Sequence, residues 1–348
     1  MQRGLTGAVG LGLGAGVLST GGMGSLTSFL GGAAADAASL GDLSVQLQWI
    51  ENYNWSGMYI AQSRGYYKAA GLDVTFVPGG PSVVPETNVL AGKSQVGLSS
   101  ADAIAEAILK GAPFKIFGTQ YQKNPFGIMS LASDPVTSPK GLIGRTVGVS
   151  TENQPELDAF LSLNKIDPSK IKTVPLGDSS APDFVSGQIT ASLDFFDGPA
   201  ELEQVGKKPY FFSLSDFGYS ITSDSYFALQ KTIDTEADKL MALLEADSRG
   251  WAAQIKDPSE GATLGVKVYG KTNGLVLAQE ITGATLQNTL IHDANTNKYG
   301  LLSVSPPLQE QNIASLAAGG IKITAAKLFD DSIVAELYKK HPGLKTTV

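Results

Sequence analysis

Residues 43–77 read LSVQLQWIENYNWSGMYIAQSRGYYKAAGLDVTFV. Leu43 to Trp49 alternates in places and is rich in Val, Leu and Trp, which predicts a strand. Ser56 to Ala70 sets Met58, Ile60, Ala61 and Tyr66 at helical spacing and stops at Gly71, a residue suited to a helix C-cap. Leu72 to Val77 predicts a second strand, closed by Pro78-Gly79-Gly80-Pro81. A strand, a helix and a strand joined by short links form the unit of an open, mainly parallel sheet.

Working outward, the unit continues. A helix over Pro85 to Ala91, a strand over Gln95 to Leu98, a helix over Ala101 to Leu109 and a strand over Phe114 to Gln120 complete one array. The pattern restarts with a strand over Thr146 to Val149. A helix with Pro155 in its first turn follows. Then come a strand over Ile171 to Pro175, a helix over Ala181 to Ser186 and a strand over Ala191 to Phe196. From about Ile233 the chain reads as mostly helical. Its candidates are Glu236 to Ile255, Asn273 to Ala294, Gln309 to Ala318 and Asp331 to Lys340. Two α/β arrays fit a chain of 348 residues, which is long enough for two compact lobes. Neither array contains a glycine-rich phosphate loop.

Composition narrows the chemistry. Twenty-six Lys and Arg against 33 Asp and Glu leave a net charge of −7. No basic patch interrupts that balance, so a nucleic-acid partner is not expected. There is no cysteine, which removes disulfides, thiol catalysis and cysteine-bound metals. The two histidines, His292 and His341, lie far from any strand-end loop, so a serine–histidine or metal-bound mechanism is not expected. Residues 1–37 stand apart. Gly4 to Ala35 carries no charge, and Ala33-Ala34-Ala35 and Ala35-Asp36-Ala37 offer small-residue cleavage sites. The stretch reads as an export signal, with a transmembrane anchor as the rival reading.

A further reading rests on motifs in order. Trp49, Asn52, Gly57, Tyr59, Ala61, Gly65, Tyr66, Tyr67, Gly71, Leu72, Asp73 and Val74 form the first. The second is Leu90-Ala91-Gly92-Lys93-Ser94-Gln95-Val96-Gly97. Leu109-Lys110-Gly111-Ala112-Pro113 and Ser138-Pro139-Lys140-Gly141-Leu142-Ile143-Gly144-Arg145 follow, and then the helix from Leu244 to Pro258. Together they resemble the ABC substrate-binding proteins for thiamine pyrimidine precursors, with their relatives for alkanesulfonates, taurine and nitrate. The resemblance implies an α/β chain of the two-lobed type II periplasmic-binding-protein fold, with two hinge crossovers near residues 120–135 and 215–230. Lobe 1 would take residues 42–125 and 226–348, and lobe 2 residues 126–225. It implies an extracytoplasmic monomer that captures a small molecule by hinge closure and serves a membrane permease and a separate ATPase. No cofactor, metal or catalysis is expected.

In open parallel sheets, ligands sit at the carboxyl ends of strands, and that rule selects the candidate contacts. The first loop holds Trp49, Glu51, Asn52, Tyr53, Asn54 and Trp55. Its aromatics suit a planar ring and its amides suit the ring's edge. The bland alternative is that Trp49 or Tyr53 packs on the first helix. This loop departs from the pyrimidine-binding relatives, which place proline where Glu51 stands and histidine where Trp55 stands. The change favours a larger heterocycle as a competitor to thiamine precursors. Ser82 follows Gly79 and Gly80, whose backbone can approach a ligand closely. Ser100 and Asp102 stand at a strand-to-helix junction, where they also suit helix capping. Across the cleft, Ser150, Thr151, Glu152 and Asn153 precede a helix N-terminus suited to an anion, although Glu152 opposes a strong one. Phe195, Phe196 and Asp197 end a strand and supply an opposing wall, with Phe196 equally suited to the core. Gln120, Tyr121 and Asn124 come from the hinge. The expected ligand is a planar heterocycle. A sulfonate or nitrate-type anion is the first alternative. A pyrimidine-synthase-like enzyme is the second, and there the absent cysteine-rich motif and the Trp55 substitution count against it.

Overall fold

The computed structural model describes residues 39–346 except Pro81, Thr151, Glu152 and Asp178. The expected export signal, residues 1–37, lies outside the described residues. Among the described residues ten strands occur in chain order: β1 Gly41–Gln46, β2 Leu72–Val77, β3 Val96–Ser99, β4 Phe114–Thr119, β5 Phe126–Leu131, β6 Thr146–Val149, β7 Lys172–Pro175, β8 Ala191–Phe195, β9 Pro209–Ser213 and β10 Ser225–Leu229. They form two five-stranded sheets, ordered β2-β1-β3-β10-β4 and β7-β6-β8-β5-β9.

In each sheet one strand runs against the other four. β1 pairs in parallel with β2 and β3, while β10 is antiparallel to β3 and β4. β6 pairs in parallel with β7 and β8, while β5 is antiparallel to β8 and β9. The odd strands are the two that follow the crossings between sheets. The chain passes from β4 to β5 and returns from β9 to β10, and each time it enters the new sheet from the carboxyl end of its neighbours. β5, β9 and β10 are additions to the elements the sequence predicts. Each is a short apolar run with no flanking helix period to announce it.

The crossings are tied together. The Gln120 and Tyr121 amides donate to the carbonyls of Asp224 and Ser223, at 3.1 and 3.3 Å. The Thr119 hydroxyl reaches the Tyr121 and Ser223 carbonyls at 3.2 Å and lies 3.0 Å from the Ser225 hydroxyl. Asp224 holds a left-handed backbone, φ +49°, a conformation uncommon outside glycine. The strand register fixes the consequence. Ser225 stands opposite both Ser99 and Thr119, so the carboxyl ends of β3 and β4 meet the crossing. Phe126 stands opposite Phe195, and Gly127 opposite Ser213, so the carboxyl ends of β8 and β9 meet it from the other sheet.

Helices cover both sheets. The predicted helix over Ser56–Ala70 is two helices, Ser56–Ser63 and Tyr66–Ala69, separated where Gly65 takes a left-handed φ of +71°. The helix expected from Asn273 begins only at Leu277 and ends at Ile291, and a second helix starts at Ala294, capped by the Asp293 side chain. No helix among the described residues is long and apolar enough to cross a membrane. The helix Ser56–Ser63 packs on the long helix Ala237–Lys256 at very close range. A Cβ on Gly57 would stand 2.2 Å from the Trp251 ring, and one on Gly250 would stand 2.0 Å from the Gly57 carbonyl oxygen. Trp251 is fully buried. Overfilling a tight core forces side chains off their rotamers. Gly57→Ala should therefore destabilise the protein by about 1–3 kcal/mol, read as a lower urea midpoint with an unchanged m-value.

Candidate functional site

The facing sheet ends enclose a cavity of about 230 Å³. One wall comes from Gln48, just after β1, and from Ser100, Asp102 and Glu106, at and beyond the end of β3. The opposite wall comes from Asn153, Pro155 and Glu156, around the start of the helix Gln154–Leu163 that follows β6. The crossings supply Asn124, Phe126, Ile221 and Ser223. Three of the lining residues, Asp102, Glu106 and Glu156, carry carboxyl groups. No lysine, arginine or histidine among the described residues lines the space.

Local structure explains each carboxylate. Asp102 lies in the first turn of the helix Ala101–Leu109, where free N–H groups favour negative charge. Its Oδ1 accepts from the Ala103 amide at 3.0 Å. Burial pushes its carboxyl above the ordinary range, against the opposing hydrogen bonds from Ser100 and the Ala103 amide. Glu156 likewise occupies a first turn. Its Oε1 accepts from Asn124 Nδ2 at 2.7 Å, and Asn124 Oδ1 in turn accepts the Phe126 amide at 2.7 Å. That second bond fixes which way the Asn124 amide faces. Burial first, and then the charge of Asp102, push Glu156 up to about 8. Gln48 Oε1 is buried with no hydrogen-bond partner.

An aromatic seam adjoins this cavity through Phe126. Phe126 meets Phe195 edge-on with ring centroids 5.2 Å apart. Tyr121 reaches Phe195 and Phe196, at 6.4 and 6.2 Å, and Tyr53 meets Phe196 at 6.2 Å. The Tyr53 hydroxyl donates to Asp197 Oδ2 at 2.6 Å, which joins the loop after β1 to the end of β8. Burial pushes the Asp197 carboxyl upward. Behind the seam, Tyr53 N donates to Glu280 at 2.6 Å, and Gln287 accepts from the Tyr121 hydroxyl at 3.1 Å while donating to the Tyr53 carbonyl at 2.9 Å.

The expected contact residues therefore separate by place. Ser100, Asp102 and Asn124 line the cavity. Tyr53, Tyr121, Phe195 and Asp197 meet in the seam. Asn54 joins the crossing through its carbonyl, which accepts from Gln120 at 2.8 Å, and its side-chain Oδ1 is buried without a partner. Asn52 serves the loop itself, since its side chain accepts from the Asn54 amide at 3.0 Å. Trp55 is a correction. It is fully buried in the core and its indole N–H donates to the Ile50 carbonyl at 3.0 Å, so it presents no ring face to the cavity. The cause is the short 3-10 turn Tyr53–Trp55, which rotates the large ring inward under the first helix. Trp49 is half-buried and packs against the same core. Ser82 is exposed and does not line the cavity. Ser150 Oγ is buried without a partner, outside the cavity lining. Thr151 lies outside the described residues.

Asn153, named in the sequence among the residues before the helix Gln154–Leu163, lines the cavity, whereas Gln48, Glu106, Phe126 and Glu156 are site residues that the strand-end rule approached without naming as contacts. Glu156 sits one residue beyond the proline that marks its helix start, and Gln48 directly precedes the aromatic loop. His292 pairs with Asn297 at 2.8 Å and His341 with Glu245 at 3.6 Å, both away from the cavity. Among the described residues no group of His, Cys, Asp and Glu is arranged to hold a metal ion.

Comparison with known proteins gives a family, two relatives and a solved structure. The family described as "NMT1/THI5 like" matches residues 52–261. A 4-amino-5-hydroxymethyl-2-methylpyrimidine phosphate synthase of Legionella pneumophila is 25% identical over 228 residues, covering 64% of this chain and 72% of that protein. A formylaminopyrimidine-binding protein of Halalkalibacterium halodurans is 24% identical over 277 residues, covering 76% of this chain and 81% of that one. Among solved structures, the periplasmic aliphatic sulphonate binding protein SsuA from Escherichia coli superposes with a TM-score of 0.61. The two share 14% identity, over 83% of this chain and 92% of that one. That likeness shows the two-lobed α/β fold of the periplasmic binding proteins.

Glu156 gives the site a measurable signature. Its folded-state value of about 8 exceeds the ordinary 4.5, so the folded protein holds a proton there that the unfolded chain has released. The stability it contributes is whole below pH 4.5 and is lost as pH rises through about 8. Glu156→Gln keeps the shape and removes the titration. In scanning fluorimetry its Tm should exceed that of the unsubstituted protein above pH 8 and converge with it near pH 4.5.

Proposed function

The chain belongs to the NMT1/THI5-like family, and on that premise we propose that it is the extracytoplasmic solute-binding component of an ABC importer, capturing a small planar nitrogen heterocycle. The observation that carries this reading is the cavity at the facing carboxyl ends of the two sheets, whose titratable side chains among the described residues are all carboxyl groups. Hydrogen-bond acceptors on both sides suit a ligand edge rich in N–H donors. The phenyl ring of Phe126 and the adjoining seam suit a flat ring. The volume, about 230 Å³, lies below the ~300–1,000 Å³ range of drug-sized ligand pockets, which favours a single ring over a fused one.

The rival ligands fit less well. A sulfonate or nitrate would face three carboxyl groups, of which only Glu106 has a cation, Lys110, beside it, and burying unpaired charge of like sign is costly. A synthase-type activity draws support from the Legionella relative's name. Against it stand the absence of cysteine from the sequence and the absence of histidine from the described lining. At the first-loop position where the pyrimidine-binding relatives carry histidine, this chain places a tryptophan packed in the core.

Capture would proceed by bending at the paired crossings. Residues 42–125 with 226–348 would form one lobe and residues 126–225 the other. A ligand touching Asp102 on one side and Glu156 on the other would favour the form in which both reach it, because only contacts that differ between the two forms shift the balance. The loaded monomer would then deliver to a membrane permease driven by a separate ATPase.

A thermal-shift panel tests this reading on protein from Ala38 onward, with aminopyrimidines, oxopyrimidines, flavins, purines, alkanesulfonates, taurine and nitrate. A ligand at a hundredfold excess over its Kd stabilises by about 2.7 kcal/mol. A shift from single-ring nitrogen heterocycles is expected. A shift from sulfonates or nitrate alone would overturn the assignment.

A further inference from the structure

The helix Pro306–Ala318 runs beside the second crossing and ends against a helix of the other sheet. Asn312 and Ser315, one turn apart on it, are buried and turn to the crossing. Asn312 Oδ1 accepts from the Thr222 amide at 2.9 Å and from the Thr222 hydroxyl at 3.1 Å, while its Nδ2 donates to the Leu308 carbonyl at 2.8 Å. Ser315 Oγ accepts from the Ser220 amide at 2.8 Å and donates to the Gly218 carbonyl at 3.2 Å. Residues 220 and 222 thus meet the helix, while Ile221 and Ser223 line the cavity. The Thr222 carbonyl accepts from the Ala101 amide at 3.0 Å, at the start of the helix that carries Asp102.

We infer that this helix is a strap across the two lobes, fixed to the second crossing by Asn312 and Ser315, and that the seating of Gly319 on Ala159 is a contact of the closed form that limits how far the lobes can close. This rests on the hinge-closure reading above and adds to it a regulating contact outside the cavity.

The far end of the strap shows why. The Ser162 hydroxyl donates to the Ala318 carbonyl at 3.1 Å. A Cβ on Gly319 would stand 2.8 Å from the Ala159 Cβ, closer than two carbons can pack. Backbone conformation does not call for glycine there. Gly319 has φ −76° and ψ 1°, close to the values of Arg64 and Lys110 at two other helix ends, and the left-handed turn falls on Gly320, φ +89°. Space is what calls for it, and Ala159 takes that space. Ala159 stands on the helix Gln154–Leu163, which also carries Glu156 into the cavity wall. In the same form Gln279 Nε2 donates to Gln204 Oε1 at 2.7 Å and Tyr53 to Asp197 at 2.6 Å, so the strap contact accompanies other bonds between the lobes while using a different pair of helices. A methyl group added at Gly319 would burden the form in which Ala159 is near and spare the form in which it is not. The balance would therefore shift toward the open form.

The test uses the full chain, in which the absence of cysteine leaves a clean background for paired thiols. Gln204→Cys with Gln279→Cys places the pair on two exposed residues that meet across the lobes, and a short thiol-reactive cross-linker traps the closed form. The trapping rate without ligand, compared with the rate at which single thiols are labelled, reads the closed fraction. Gly319→Ala should slow trapping roughly fivefold, the lower end of what overfilling a tight contact costs. Adding Ala159→Gly should restore the rate to within about twofold of the parent pair, since contacting residues compensate where distant ones merely add. A local effect on either helix would give no such rescue. Melting curves show that each variant is folded. If the parent pair traps more slowly than single thiols are labelled and Gly319→Ala leaves that rate unchanged, or slows it with no rescue by Ala159→Gly, the inference falls and the hinge reading survives. A parent pair that traps as fast as labelling allows belongs to lobes that do not separate, and one that never traps belongs to lobes that do not meet; either result overturns both.

Discussion

Two backbone hydrogen bonds, from Gln120 to Asp224 and from Tyr121 to Ser223, hold the two crossings side by side. Much of the site follows from that pairing. Because β5 and β10 each enter a sheet against the direction of its other strands, the crossings start at carboxyl ends on both sides. The loops and helix starts that ordinarily surround a ligand are thereby brought to one place from two sheets. The left-handed backbone of Asp224 belongs to this constraint. A residue in that conformation persists where its surroundings overdetermine it, and here the surroundings are a neighbouring crossing bonded on both sides. The carboxyl of Asp224 is buried as well, which pushes it up to about 7, and the Gln120 amide contacts it at 3.5 Å. The paired crossings thus meet through polar groups, hydroxyls, amides and one acid.

The second organising feature is the use of helix N-termini. Such an end is suited to an anion, and the relatives that bind sulfonate-type anions give that expectation weight in the sequence. This chain fills both helix ends at its cavity with its own acids, Asp102 and Glu156. The partial positive charge of each helix is then spent on a fixed side chain, and the outward face of the site changes sign. Burial leaves both acids above their ordinary range, and Glu156, pushed up to about 8, keeps its proton near neutrality.

The alternation and turn chemistry of residues 43–77 carry enough information to read the first parallel unit, and the restart near Thr146 carries enough to read the second array. The crossing strands were less legible. Phe126–Leu131 and Ser225–Leu229 are short apolar runs, and such runs do not announce strand over helix. Their meaning is topological, because they pair with strands distant in sequence. The site divides in the same way. Ser100 and Asp102 follow from the strand-end rule and Asn124 from the expected crossover, while Glu156 was hidden behind a reading of its helix as a donor of N–H groups. Trp55 was misplaced for a different reason. An aromatic loop on a strand end signals a stacking surface, but the sequence does not say which way a 3-10 turn rotates each ring, and burial of the largest one under a helix was the stronger demand.

The inward turn of Trp55 also bears on what the first loop is for. Trp55 is anchored by its bond to Ile50 and Asn52 holds the Asn54 amide, which leaves Tyr53 as the ring of this loop that reaches the other sheet. That ring crosses to Asp197 on the other sheet, and its backbone amide and carbonyl are held by Glu280 and Gln287. That hydroxyl bond joins the carboxyl ends of the two sheets whether or not it touches ligand. The seam of Tyr53, Tyr121, Phe195 and Phe196 adds apolar contact area beside it. Its two bonds to carboxyl groups run from Tyr53 to Asp197 and Glu280. Burial pushes both acids upward, and an acid held against its preference in a buried pair adds less than its short distance suggests.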